Sequence, residues 1–461
     1  MQNIFYEVNS LDKRCYEEFA LTEDLLMEHA ASSISREILK NHEKDKSVLI
    51  VCGVGNNGAD GIALARLLYK KFEVKLYIPF GVKSKMAKLQ LKRVELLGIK
   101  QIKKLEQSDI VVDCLFGSGL NKDLNKESQE LINHLNEMNS SKIACDIPSG
   151  VNNLGQVTTL AFEADTTITM GSLKVSLFTD IAKDYVGEIK VANLGIQREL
   201  YETKANIFLL EEEDIKLPFR NKKDSHKGTY GHLNVVAGCK KGAGVIAAKA
   251  AFGFGAGLVS VICHENIDLP YHIMQIHKLS ENCTAIALGM GLGRYEEKEI
   301  KEILNNDIPT IIDADLFYER VIIEALDKDV VLTPHPKEFC ALLKLCDLAD
   351  IDVPTLQENR FKYVEEFTRK YPKVVLLLKG ANVIIAQNSE IYINNLGSAV
   401  LAKGGSGDVL AGLVASLLTQ GYSPLDAAIS ASLAHTMAAK RYKKNNYSLI
   451  PSDLVEEVKK L

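Results

Sequence analysis

Short apolar runs that end abruptly in glycines and acids recur along this chain, with helix-compatible segments between them. Ser47-Val48-Leu49-Ile50-Val51-Cys52 runs into Gly53-Val54-Gly55-Asn56-Asn57-Gly58-Ala59-Asp60-Gly61. Asp109–Cys114 runs into Leu115-Phe116-Gly117-Ser118-Gly119-Leu120, and Lys142–Cys145 into Asp146-Ile147-Pro148-Ser149-Gly150. The second half repeats the layout. Ala285–Leu288 precedes Gly289-Met290-Gly291-Leu292-Gly293, and Pro309–Ile312 precedes Asp313-Ala314-Asp315. Val330–Leu332 precedes Thr333-Pro334-His335-Pro336-Lys337-Glu338, and Val374–Leu378 precedes Lys379-Gly380-Ala381-Asn382-Val383. Such runs read as strands buried on both faces. Alternation with helices predicts mostly parallel sheets covered on both sides, so the fold class is α/β and doubly wound.

Helices are predicted over 21–39, with Thr22 as cap, and over 62–71, 86–97, 245–252 and 409–418. The regular pattern lapses after Gly195, where an acidic run, Glu211–Asp214, reads as a solvated turn or helix start. At 461 residues the chain is too long for one ordinary domain. The expected division is 1–205 and 206–461. A net charge of −5 gives no basic field for nucleic acid or an acidic membrane surface. No apolar run approaches the ~20 residues of a membrane span. The nine cysteines form no CxxC pair and several lie in strand-like runs, as expected of reduced core residues in a cytoplasmic protein.

Chemistry concentrates first at Lys403-Gly404-Gly405-Ser406-Gly407-Asp408. Glycines let consecutive N–H groups converge on one anion, and a helix starting near Asp408 would add its positive end. The carboxylate at the lip could then take a proton from a hydroxyl during phosphoryl transfer. The alternative is a glycine-rich turn with Asp408 as an ordinary helix N-cap. The second concentration lies behind the strands of the first half, at Asn56, Asn57 and Asp60, at Asp113, and at Asp146 and Ser149. C-terminal strand ends line the ligand crevice of open α/β sheets, and oxygen-bearing side chains there suit a hard cation with a ribose or phosphate. Singly, each could be a turn or cap residue. The run is not GxGxxG, so a dehydrogenase fingerprint is absent. His226 and His232 are expected in surface or capping roles.

The ordered motifs GVGNNGADG (53–61), VDCLFGSG (112–119) and DIPSG (146–150), with LMEHAA (26–31), resemble the NAD(P)H-hydrate epimerases over roughly the first two hundred residues. The resemblance implies a Rossmann-like domain with a potassium ion near Asn57, Asp113 and Ser149. It implies a hydrated dinucleotide held by Asn56, Asn57, Gly58, Ala59 and Asp60 and by Gly117, Ser118, Gly119, Leu120, Asn121, Lys122 and Asp123. Asp146 would serve acid/base chemistry at the nicotinamide. Ala59 and Ala31 stand where that family has glycine, and the Ala59 methyl is expected near the phosphates.

HKGTYGHL (226–233), GMGLG (289–293), DADLF (313–317), TPHPKE (333–338), LKGANV (378–383) and GGSGDVLAG (404–412) resemble the ribokinase-like ADP/ATP-dependent NAD(P)H-hydrate dehydratases across residues 206–461. This implies Asp408 as base and Gly405, Ser406 and Gly407 as anion hole. Lys379, Gly380, Ala381, Asn382 and Val383 would contact the adenine nucleotide. Ala243, Gly291 and His335 would border the hydrate. Lys337 replaces the family's glycine, and Ser406 its threonine. The implied cofactors are K+ for the first domain and Mg2+ with ADP for the second, ATP being the other donor. Expected partners are the small molecules NADHX and NADPHX and the nucleotide, in a homo-oligomer. The competing expectation is a small-alcohol or vitamin-precursor kinase fused to a non-catalytic dinucleotide-binding module.

Overall fold

The computed structural model describes residues 1–461 apart from 121, 158 and 294. Asn121, expected at the hydrate, thus lies outside the described residues. The chain divides into two compact units, one of Asn3–Ala205 and one of Asn206–Leu461 with Met1–Gln2.

The first unit is built on a parallel sheet whose strand order is Glu73–Tyr77, Ser47–Cys52, Ile110–Cys114, Ser141–Cys145, Thr166–Met170, Glu188–Ala192. Side chains alternate across it as the strand period of two requires. Val48, Ile50 and Cys52 pack with Met27, Ile34, Ile62 and Met86 on one face. Leu49, Val51 and Val111 pack with Leu131, Ile132 and Leu135 on the other. Cys52 pairs with Cys114, and Asp113 with Ala144, so the turns after these strands emerge together at one sheet edge. Thr22 caps the helix Glu23–Asn41 as expected, accepting from Leu25 N.

One boundary differs from expectation and matters for the site. The helix predicted from Ile62 begins at Asn56, with Gly55 as N-cap. Glycines 58 and 61 permit close packing rather than a turn. A Cβ on Gly58 would sit 1.9 Å from Gly53 O, and one on Gly61 2.7 Å from Cys52 Sγ.

The second unit has the strand order Met274–Ile276, Leu258–Ile262, His232–Val236, Ala285–Leu288, Thr310–Ile312, Val330–Leu332, Val375–Leu378, Val383–Gln387, Glu390–Asn394, Ile207–Leu209. Pairing is parallel as far as Val375–Leu378. Val383–Gln387 then runs antiparallel to both neighbours. The hairpin closes through Asn388 and Ser389, both at positive φ, which is the geometry of a tight two-residue hairpin turn. The helices Lys241–Gly253 and Ser406–Thr419 pack so closely that a Cβ on Gly412 would lie 2.3 Å from Ala247 O.

All nine cysteines are free, and those in the strand-like runs, among them Cys52, Cys114, Cys145 and Cys263, are buried. Among the described residues no helix is long and apolar enough to cross a membrane.

Candidate active sites

The turns at the sheet edge of the first unit enclose a cavity of about 760 Å³. Asn56, Asn57, Asp60, Gly117, Ser118, Gly119, Leu120, Lys122, Asp123 and Asp146 line it, with Asp12 and Met170. Gly58 and Ala59 do not. Because the helix starts at Asn56, positions 56, 57 and 60 share the face towards the cavity. Ala59 is instead fully buried in the core with Ala31 and Ile62. Its methyl therefore packs the core, which corrects the expectation that it lies near the phosphates.

Asp146 is the most constrained residue here. Its φ is +71°, a left-handed conformation that a side chain adopts at a cost, and its N–H is tied to Ile168 O at 2.8 Å. Its Oδ1 accepts from Lys174 Nζ at 2.6 Å, Met170 N at 3.1 Å and Thr169 Oγ1 at 3.3 Å, and its Oδ2 from Ser118 N at 3.3 Å. Burial pushes this carboxyl up, but the Lys174 charge and hydrogen bond outweigh it and hold the group below the usual carboxylate range. The neighbouring acids behave oppositely. Burial and the charge of Asp146 push Asp60 well up, and burial also raises Asp12, which accepts from Tyr201 OH at 2.8 Å. The cavity thus holds one carboxyl, Asp146, held down beside two, Asp60 and Asp12, that burial pushes up.

Asp113 and Ser149 are brought into contact. Ser149 donates to Asp113 from its hydroxyl at 2.7 Å and from its backbone N–H at 2.8 Å, and burial pushes the Asp113 carboxyl up to about 6. Asn57 makes no hydrogen bond to either, and its amide O and N are both buried without a partner among the described residues. A Cβ on Gly117 would lie 3.2 Å from Asn57 Cγ and 3.3 Å from Asp146 Oδ2, so this glycine separates the amide from the carboxylate.

In the second unit Asp408 sits in the first turn of the helix Ser406–Thr419, whose N-cap is Gly405 at φ +87°. The capping alternative for Asp408 is thereby excluded. The carboxyl is half-buried. Burial and the charge of Asp313 raise it, while Lys379 opposes them. Lys379 Nζ is 2.8 Å from Asp313 Oδ1, and a Cβ on Gly407 would be 3.5 Å from the same Nζ. A cation, an acid and the free amides of a helix start are thus gathered in one place. The Ser406 N–H is engaged with Lys403 O at 3.2 Å, and its hydroxyl is within 3.1 Å of the buried His435 Nε2. Gly407 and Asp408 supply the next amides of that turn. Burial holds His435 down at about 4, so the imidazole is neutral.

His335 caps the helix Pro336–Leu345 by accepting from Glu338 N at 3.2 Å, and its Nε2 lies 3.1 Å from Glu338 Oε1. Burial pushes Glu338 up to about 7. Gly291 has φ +60°, and a Cβ there would be 3.0 Å from Ala243 Cβ, so these two expected hydrate contacts are adjacent. Lys337 is exposed. His226 caps a 3-10 turn, while His232 is buried in its strand between Asn282 Oδ1 at 2.8 Å and Ser260 Oγ at 2.7 Å, a satisfied core residue rather than a surface one.

Residues 23–176 match the family model described as YjeF-related protein N-terminus, and residues 233–460 match the one described as NAD(P)H-hydrate dehydratase. The bifunctional NAD(P)H-hydrate repair enzyme Nnr of Helicobacter pylori is 45% identical over 477 residues, with 100% of both chains covered. The chain belongs to the bifunctional NAD(P)H-hydrate repair enzymes. The Dictyoglomus turgidum enzyme of the same name is 31% identical, covering 98% of this chain and 96% of its own. The Bacillus subtilis ADP/ATP-dependent NAD(P)H-hydrate dehydratase co-crystallised with ATP/Mg2+ is 28% identical over 55% of this chain and 97% of its own, with a TM-score of 0.48.

In this repair enzyme two site-building residues escape sequence reasoning. Lys174 reads as one lysine in an ordinary apolar stretch, yet the whole segment 171–179 is buried. Arg360 lies far along the chain in the helix Arg360–Lys370, yet it is buried and donates to Asn382 O and Lys379 O, each at 3.1 Å. It thereby fixes the 379–383 loop. A charge inside an apolar run was the available signal for Lys174; Arg360 offered none.

Proposed function

We propose that residues 3–205 interconvert the R and S hydrates of NADH and NADPH, and that residues 206–461 dehydrate the S form at the expense of ADP. The observation that carries the second half is Asp408, half-buried in a helix first turn behind a left-handed glycine, beside Lys379. Asp408 accepts the proton of the ring hydroxyl while the β-phosphoryl of ADP moves to that oxygen, leaving AMP. Phosphate then departs with its bonding pair, the neighbouring ring carbon gives up a proton to solvent, and the electron pair left behind restores the double bond of the reduced ring. Phosphorylation matters because hydroxide is a poor leaving group and phosphate a good one. The amides of Gly407 and Asp408 and the Lys379 ammonium face the transferring charge. The nucleotide phosphates would carry the magnesium ion, which would neutralise charge on the transferring phosphoryl group. The loop Lys379–Val383 holds the nucleotide, and Ala243, Gly291 and His335 border the hydrate.

In the first unit Asp146 handles the proton. Potassium suits the oxygen donors of Asn57, Asp113 and Ser149, and the partnerless buried Asn57 Oδ1 supports that reading. The ion would balance the buried Asp113 charge and pin the crevice wall. The enzyme works in the cytoplasm, as a homo-oligomer.

Purified protein mixed with both hydrates, Mg2+ and ADP should restore the full nicotinamide absorbance, with AMP and free phosphate in step. Recovery limited to the S fraction removes the epimerase half. A stable phosphorylated product without free phosphate would favour the small-alcohol kinase reading instead.

A further inference from the structure

Lys174 is an ammonium with 1% of its surface exposed, held behind Asp146, which lines the first unit's cavity. Nζ donates to Asp146 Oδ1 at 2.6 Å, Thr169 Oγ1 at 2.8 Å and Met170 O at 3.2 Å. Thr169 and Met170 N also reach Asp146 Oδ1, so the lysine and the acid share one cradle. Lys174 is itself pinned, since it pairs with Phe5 across a short parallel ladder. Burying an ammonium is costly unless it is paired and hydrogen-bonded, and a purely structural position would be filled better by an apolar side chain.

Lys122 and Asp123 also line the cavity, and the other titratable groups around this centre are acids or neutral donors. Asp12 comes from the helix Asn9–Glu18 with Tyr201 bonded to it, Asp60 from Asn56–Leu68, Glu23 from Glu23–Asn41, and the Cys145 thiol from the adjoining strand. Among the described residues Lys174 is the cation that ion-pairs with Asp146.

We propose that Lys174 is the positioning residue of the epimerisation: its ammonium fixes the Asp146 carboxylate, by charge and by hydrogen bond, in the pose and ionised state that accept the hydrate's hydroxyl proton and return it. This rests on the epimerase reading of the first unit. The proton moves from the hydroxyl to a carboxylate oxygen as the bond between the hydroxyl-bearing carbon and the ring nitrogen opens to an aldehyde, the electron pair going to the nitrogen. The nitrogen then adds back to the other face of the aldehyde and the proton returns, so no further reactant is needed. Oδ1 is occupied by Lys174, Thr169 and Met170, which leaves Oδ2, beside Ser118 and Gly117, as the oxygen that receives it.

The test uses the full chain and an R-enriched hydrate, with ADP-dependent dehydration of the S hydrate measured on the same samples. Failure of the wild-type protein to exchange epimers defeats the epimerase reading itself. Given wild-type exchange, Lys174→Gln, which keeps a donor but loses the charge, should lose about 100-fold or more of the exchange rate, the scale of a general base put out of action. Its remaining activity should show an acid limb moved to higher pH, because the charge that most opposes the burial of Asp146 is then gone, although the hydrogen bonds from Met170 N and Ser118 N remain. Dehydration of the S form should be unchanged. Lys174→Arg, which keeps the charge, should retain more activity and the wild-type acid limb. Equal losses in both variants with an unmoved acid limb, or full activity in Lys174→Gln, would overturn the inference.

Discussion

Lys379→Met separates the electrostatics of the second unit from its packing. The wild-type ammonium is 2.8 Å from Asp313 Oδ1, and the Asp313 side chain is 3% exposed against 22% for Lys379. The substitution keeps much of the apolar stem and removes the charge, leaving a carboxylate buried without its cation. Breaking such a pair costs about 3–5 kcal/mol, and the partial exposure of the lysine places this case near 3. For a unit of this size that is a fall of about 6–12 °C in Tm. Asp313→Asn alone should be milder, and Lys379→Met combined with Asp313→Asn should recover stability, because no charge is then left buried. The catalytic consequence comes from the same geometry. Lys379 is the neighbour that draws the Asp408 carboxyl down, against burial and Asp313. Its removal should raise that group further and shift the acid limb of dehydration to higher pH, with a higher KM for ADP. Differential scanning calorimetry of the three variants and pH profiles of hydrate dehydration read both effects. Strictly additive Tm losses across the cycle, or a profile that moves to lower pH, would refute the reasoning.

Asp408→Asn should lower dehydration by about 10²–10⁴ while epimer exchange continues; loss of both activities in a folded protein would contradict separate sites. Gly61→Ala places a methyl 2.7 Å from Cys52 Sγ and 2.8 Å from Cys114 Cβ, so it should destabilise the first unit by about 1–3 kcal/mol, read by thermal inactivation of exchange. Glu338 is held up at about 7 in the folded chain, against an ordinary value of 4.5, so the folded state binds more protons between those values and stability falls as pH rises through that window. Glu338→Gln should flatten that slope in denaturant melts between pH 4.5 and about 7, whereas parallel curves would show that burial does not act on this group. Thr22→Ala should cost about 1 kcal/mol through loss of the helix cap, visible as a small shift in the same melts.

The two crevices were legible in the sequence because parallel strands buried on both faces leave a strong signature, apolar residues without interruption and then glycine or acid where the chain turns. Val48 to Cys52 can only be such a strand, and the residues directly after Cys52 must lie at the crevice. The same logic placed Asp408 at a helix start. The antiparallel hairpin over 383–394 was not read, since Asn388-Ser389 is a weaker turn signal than Asn-Gly and the flanking runs look like any buried strand. The start of the helix at Asn56 was also missed. Glycine normally argues against a helix, and only the 1.9 Å approach of Gly53 O to a Cβ on Gly58 reveals that the residue is there for clearance.

What the amino-acid order determined by itself was which turns reach the mouths of the two sheets, because uninterrupted apolar strands that end in glycine or acid mark where the chain leaves the sheet. Which of those acids carries charge was decided by tertiary structure. Asp146, Asp60 and Asp12 are the same chemical group, and no local pattern ranks them. Lys174 arrives beside Asp146 from another part of the chain and, with water excluded, holds that carboxyl down, whereas burial pushes Asp60 and Asp12 up.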